Sequence, residues 1–205
     1  MSELPMFPLG TVLFPTVFLP LHVFEPRYRA LVQHCLDGER EFGVVLIERG
    51  SEVGGHDVRT SVGTVARIVE AAELDDGRWV LGTVGTRRIR VREWLPDEPY
   101  PRADVEDWPD GEPAGDLPAR YTAVTAQLRR VLGLKAELAE PAVEATIELS
   151  DDPVLGSYQA AAVAPLGPAD QQRLLLEDGP FERLGLLESM LREESDYLAA
   201  RLGME

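Results

Sequence analysis

The chain has 205 residues, of which 44% are apolar and 27% charged, and its 20 basic against 36 acidic residues leave a net charge of −16. A chain this long buries about 70% of its unfolded surface, and this ordinary mixture excludes a mostly disordered polypeptide. The single cysteine, Cys35, excludes an internal disulfide and a cysteine-built zinc site.

The acidity is uneven. Residues 1–96 carry a net charge of −2 and residues 97–205 a net charge of −14. Such asymmetry predicts two parts with different surfaces, and the acidic balance disfavours a phosphate backbone as partner. Leu4–Phe24 holds 21 residues without Asp, Glu, Lys or Arg, long enough to cross a bilayer. Pro5, Pro8, Pro15 and Pro20 interrupt it, each costing ~3 kcal/mol in a helix interior, so it does not read as a membrane span. Nor does it read as a signal peptide, because no basic residue precedes it. A cytoplasmic protein is the expectation.

In chain order, Leu4–Leu9 and Thr11–Phe18 read as strands rich in β-branched and aromatic residues, broken at Gly10 and at prolines. Pro26 begins a helix over 26–37, with Tyr28, Leu31, Val32 and Cys35 on one face and Gly38 as its stop. Phe42–Glu48, Val62–Leu74, Arg78–Val84 and Thr86–Leu95 follow as strands. Asp75-Asp76-Gly77 is a hairpin turn, since Asp-Gly accepts positive φ. In the last of these strands Arg88, Arg90 and Arg92 alternate with Ile89 and Val91, which predicts one wet face. Residues 96–118 carry six prolines and eight acidic residues, a linker with one strand in it at Arg102–Asp107. Helices follow. Tyr121, Val124, Leu128, Val131 and Leu132 form one stripe; Ser150-Asp151-Asp152 caps a helix running to Ala162; Pro168–Glu177 is short; and Leu184, Leu187, Leu191 and Leu198 mark the last, near 180–202.

The opening text carries a resemblance. Leu4-Pro5-Met6-Phe7-Pro8-Leu9, Val12-Leu13-Phe14-Pro15 and Leu19-Pro20-Leu21-His22-Val23-Phe24-Glu25-Pro26-Arg27-Tyr28-Arg29-Ala30-Leu31 are similar to the start of the Lon N-terminal, or substrate-binding, domain. The stand-alone bacterial members and the corresponding part of cereblon are the nearest in kind. Val62-Gly63-Thr64-Val65-Ala66 and Gly85-Thr86-Arg87-Arg88-Ile89-Arg90-Val91 also fit that family's strands. The resemblance implies an α+β fold. A PUA-like β-barrel with one inserted helix would occupy residues 1–115, and an α-helical bundle residues 116–205. It implies recognition of unfolded polypeptide segments or a protein partner. An RNA- or small-ligand-binding PUA-like protein is the alternative.

The catalytic parts of a full Lon protease have no counterpart in this text. A P-loop needs Gly-Lys-Ser/Thr, and the single lysine, Lys135, lies between Leu134 and Ala136. Asp110-Gly111-Glu112-Pro113-Ala114-Gly115 has no serine to act as nucleophile. No enzymatic activity, cofactor or metal is expected. The cereblon ligand domain's cysteine-bound zinc has no ligands here.

Individual residues divide between a chemical and a structural role. His34 and Cys35 are adjacent on the first helix and point about 100° apart, so they form no dyad. His56 sits in a polar loop. Glu25 and Arg27 stand at a strand-to-helix junction, as contacts for a peptide backbone or as helix cap and ion pair. Tyr100 and Trp108 flank the linker, as interface anchors or as core. Glu25, Arg27, Tyr100 and Trp108 are the candidate partner-binding residues. The expected binding surface is a groove where barrel meets bundle, together with an exposed strand edge.

Overall fold

The computed structural model describes residues 2–50, 57–113 and 115–203; His56 lies outside them. The chain divides into two units, Met1–Pro109 and Asp110–Glu205.

The first unit holds β1 (Ser2–Leu9), β2 (Phe18–Val23), α1 (Pro26–Asp37), β3 (Glu41–Arg49), β4 (Val58–Glu73), β5 (Trp79–Leu95) and β6 (Arg102–Asp107). The sheet is mixed, in the order β2-β5-β4-β3-β1-β6, and β6 also pairs with β5. The ladders therefore run from β5 through β4, β3, β1 and β6 back to β5. β1 and β3 are parallel and the other pairs antiparallel. β2 hangs from β5 alone, with Phe18 opposite Val84 and Val23 opposite Trp79.

Most elements fall where the sequence puts them, and two do not. The expected strand over 11–18 is a loop, and the strand begins at Phe18. The loop is held by long-range contacts. Thr16 sits at φ 68, its N–H donates to the Gly85 carbonyl, and the Gly85 N–H donates to the Val17 carbonyl. A side chain at position 85 would stand 2.2 Å from the Phe14 carbonyl oxygen, so only glycine admits this approach. The two strands expected over 78–95 are one continuous β5, because Gly85 stays in the ladder through an irregularity against β4. Gly77 takes φ +77 in the β4–β5 turn, as the Asp-Gly signal requires.

α1 lays Tyr28, Leu31, Val32 and Cys35 into a cluster with Phe7, Leu9, Leu21, Val23, Phe42 and Leu81. Each large side chain fully withdrawn from water there contributes ~1.5–3 kcal/mol. A second cluster joins Met6, Val45, Val65, Ile89, Ala103 and Val105.

The buried Glu41 carboxylate at the start of β3 accepts from Arg67 at 2.7 Å and from Arg87 at 2.7 Å, and Arg87 also donates to Asp107 at 2.9 Å. One carboxylate thus ties β3 to β4 and β5. Burial works against its ionisation, yet hydrogen bonds from Arg87 and Arg67 hold it below the usual carboxylate range.

The second unit holds α2 (Leu117–Glu137), α3 (Pro153–Val163), α4 (Pro168–Leu175) and α5 (Pro180–Leu202). Val124, Leu128, Val131 and Leu132 of α2 and Leu184, Leu187, Leu191 and Leu198 of α5 are buried, as their spacing predicts. Asp152 caps α3 by accepting from the Val154 N–H at 2.8 Å. Arg183 is 0% exposed. It donates to Asp110 at 2.6 Å and to Ser157 Oγ at 2.8 Å, and its guanidinium lies 3.7 Å from the Tyr158 ring centroid. The Tyr158 hydroxyl donates to the same Asp110 oxygen at 2.9 Å, and the Gly111 N–H donates to the Asp178 carbonyl. Residues 110–113, read from sequence as linker, belong to this unit for that reason.

Two outcomes follow. Ionised Glu41 stabilises the fold fully above its unfolded-state value of about 4.3, and that contribution is lost as pH falls through the lower folded-state value. Glu41→Gln should therefore lower the pH 7 stability and flatten its fall between pH 5 and 2, measured by urea unfolding across that range. Arg183→Ala should cost ~3–5 kcal/mol in urea unfolding, since it takes the guanidinium away from the largely buried Asp110 carboxylate.

Candidate functional site

The Leu4–Phe24 stretch without formal charge folds back on itself to build a cleft. Phe7 and Leu9 come from the end of β1, Pro20–Val23 from β2, and Phe24, Glu25 and Tyr28 from the passage into α1. The cleft measures about 190 Å³ and its walls are mostly apolar. Tyr28 stacks on Phe7, with ring centroids 4.1 Å apart. Burial pushes the Tyr28 hydroxyl up to about 12, so it stays protonated at neutral pH. Phe18 and Phe24, at the two ends of β2, are 56% and 55% exposed.

Of the four residues singled out in the sequence, Glu25 lines this cleft. It occupies the N-cap position of α1 without capping it; its carboxylate accepts instead from Arg27 Nε at 3.1 Å. The Arg27 guanidinium lies 4.4 Å from the Tyr28 ring centroid. Tyr100 is buried in the α1 cluster, edge-on to His34. Trp108 lies elsewhere, with the Arg88 and Arg90 guanidiniums 4.4 and 4.3 Å from its ring centroid and its N–H donating to the Arg88 carbonyl. Glu25 and Arg27 are thus together, while Tyr100 and Trp108 are each held in separate packing. Sequence reasoning passed over Phe7, Leu9, Leu21 and Val23 as site residues. Their signal was the absence of charge over 21 residues.

The arginine-rich β5 is not the uniformly wet face its alternation predicts. Arg88 is 2% exposed, laid on Trp108 and donating to the Pro109 carbonyl at 3.4 Å. Arg87 and Arg92 bond to Glu41, Asp107 and Glu106. These guanidiniums are engaged by carboxylates, an aromatic ring and a carbonyl, which leaves little of a phosphate-binding strip. Arg59 is similarly held by Asp57 and Asp97 over the Trp94 ring.

The other chemical candidates resolve into structure. His34 points outward, whereas Cys35 is buried and its Sγ donates to the Glu41 carbonyl at 3.3 Å. Burial pushes the Cys35 thiol up to about 12. Asp76 holds Arg78 across the hairpin turn. Among the described residues no three His, Cys, Asp or Glu side chains gather as a metal site, and no helix is long and apolar enough to cross a membrane.

Residues 3–193 match the family model of the ATP-dependent protease La (LON) substrate-binding domain. The chain belongs to the Lon substrate-binding domain family. It is 32% identical over 200 residues to Lon protease 2 of Herpetosiphon aurantiacus, covering 96% of this chain and 24% of that protein. It is 30% identical over 197 residues to Lon protease of Desulfovibrio desulfuricans, covering 94% of this chain and 22% of that protein. The chain thus spans about a quarter of the length of these relatives. A crystal structure of a Lon N-terminal domain protein from Xanthomonas campestris superposes with a TM-score of 0.70 at 30% identity, covering 92% of this chain and 98% of that one. The N-terminal domain of a Mycobacterium avium complex Lon protease shares the fold at 18% identity, with a TM-score of 0.69 over 93% of this chain and 98% of that one. The architecture, a mixed sheet and five helices among the described residues, is that of the Lon N-terminal domain.

The buried, protonated Cys35 thiol should react with a thiol-specific disulfide reagent only as fast as the first unit opens. Reaction in denaturant should be faster by orders of magnitude, monitored by absorbance of the released thiolate.

Proposed function

We propose that this chain is a non-catalytic polypeptide-recognition module that holds unfolded or extended protein segments. One observation carries the reading: the family match extends over residues 3–193 and corresponds to about a quarter of each full-length Lon relative. The closed circuit of ladders supports reading the first unit as the PUA-like barrel, and α2–α5 as the helical bundle. The described side chains support a role in binding. The cleft is apolar, its one carboxylate is paired with Arg27, and its phenol stays protonated. A groove of that kind holds a side chain by excluding water, and its walls offer no activated nucleophile.

Titration with a panel of unfolded client peptides and a permanently unfolded protein, followed by fluorescence anisotropy, should give saturable binding. No saturation with any of them up to about 1 mM, where binding is worth only ~4 kcal/mol, overturns the reading. The unfolded protein should also stay intact on prolonged incubation with the pure chain; fragments on a gel would overturn the non-catalytic part.

A further inference from the structure

Most of the cleft beside β2 is walled by carbon, through Phe7, Leu9, Leu21 and Val23. Two polar side chains interrupt that wall, and each keeps hydrogen-bonding capacity that the protein does not use. Tyr28 is 3% exposed, and among the described residues its hydroxyl makes no hydrogen bond. Glu25 accepts from Arg27 Nε through Oε2, and among the described residues Oε1 has no donor. Polar groups withdrawn from bulk water without a partner are costly, and native proteins rarely keep them without a use.

The two groups are of opposite kind. Burial keeps the Tyr28 phenol protonated at neutral pH, so it donates. The Glu25 carboxylate accepts. Its charge is close enough to act on the Tyr28 hydroxyl, so donor and acceptor can serve one ligand. Their complement is a group with a carbonyl oxygen and an N–H on the same edge. The trans peptide group of a polypeptide turns these to opposite sides, whereas a primary carboxamide carries them side by side. A carboxylate ligand would face Glu25, and an ammonium would leave the phenol without an acceptor. Size sets the rest of the ligand. An apolar cavity of about 150 Å³ takes benzene, so a cleft of about 190 Å³ suits one ring with a carboxamide on it.

We propose that this cleft binds a small neutral primary carboxamide carried on a single apolar ring, its carbonyl accepting from the Tyr28 hydroxyl and its amide N–H donating to Glu25. The carbon walls hold the ring, and the two polar groups select the amide. Phe7, stacked on Tyr28, fixes the phenol ring, and Arg27 holds Glu25. The proposal goes beyond the recognition role above, which peptide titration tests separately.

Benzamide is the probe, titrated against the whole chain and read by saturation-transfer NMR on the ligand. Saturable binding is expected with a dissociation constant of roughly 1 mM or tighter, the range for a ligand of this size. Benzoate should bind at least about tenfold more weakly, and Glu25→Gln should narrow that gap. N,N-Dimethylbenzamide keeps the carbonyl, loses both N–H groups and should bind roughly threefold to tenfold more weakly than benzamide. Tyr28→Phe should weaken benzamide by a similar factor while leaving the binding of toluene unchanged. That variant keeps the ring on Phe7 and removes a hydroxyl without a protein partner, so its thermal midpoint should match that of the native chain. Absence of benzamide binding up to about 10 mM overturns the proposal. So does binding of benzoate or toluene as tightly as benzamide, or undiminished benzamide affinity in Tyr28→Phe. A lowered thermal midpoint in Tyr28→Phe would assign the hydroxyl to the fold and overturn it as well. Each of these failures leaves the polypeptide-recognition role standing, because titration with unfolded protein decides that role.

Discussion

The pairing of β6 with both β1 and β5 is the constraint on which the first unit depends. It returns the ladder to β5 and so satisfies backbone groups that an open sheet would leave at two edges. β2 is left with one partner strand, because β5 is long enough to carry β6 along one part and β2 along another. Among the described residues β2 is the strand that is paired on one side over its whole length of six residues. The cleft lies beside it because the chain leaves β2 directly into α1, whose Tyr28 stacks on Phe7 of β1.

Charged groups reinforce this frame. Glu41, Arg67, Arg87 and Asp107 connect four strands: one carboxylate accepts from two guanidiniums, and one guanidinium serves two carboxylates. The second unit has a counterpart in Arg183, Asp110, Ser157 and Tyr158. In both, arginine serves where lysine could not, since a planar fork reaches two acceptors at once. The acidic excess outside these networks gives the protein a long-range negative field, which bears on the partners it can approach.

Local patterns made much of the fold legible. The helix over 26–37 was readable from Pro26, the 28/31/32/35 stripe and Gly38, and it runs over Pro26–Asp37. The β4–β5 turn was readable from Asp75-Asp76-Gly77. The position of β2 was not, because the loop before it is fixed by the Gly85 backbone, some 70 residues away along the chain. Arg88 was misplaced for the same kind of reason: alternation put it in water, and Trp108 on the next strand's end took it up. Glu25 and Arg27 were found at a junction by residue type. The apolar walls beside them carried no chemical signature beyond a lack of charge.

By itself, the sequence determined the kinds of element, their caps and turns, the single buried thiol, the acidic balance and the family. Those properties are written within a few residues of one another or in composition. Only the tertiary structure decided which strand keeps a free edge, that Phe7 and Leu21 wall one cleft, and that Arg183 closes on Asp110. These depend on register and on pairings across tens of residues, where a shift by one position turns every side chain to the other face.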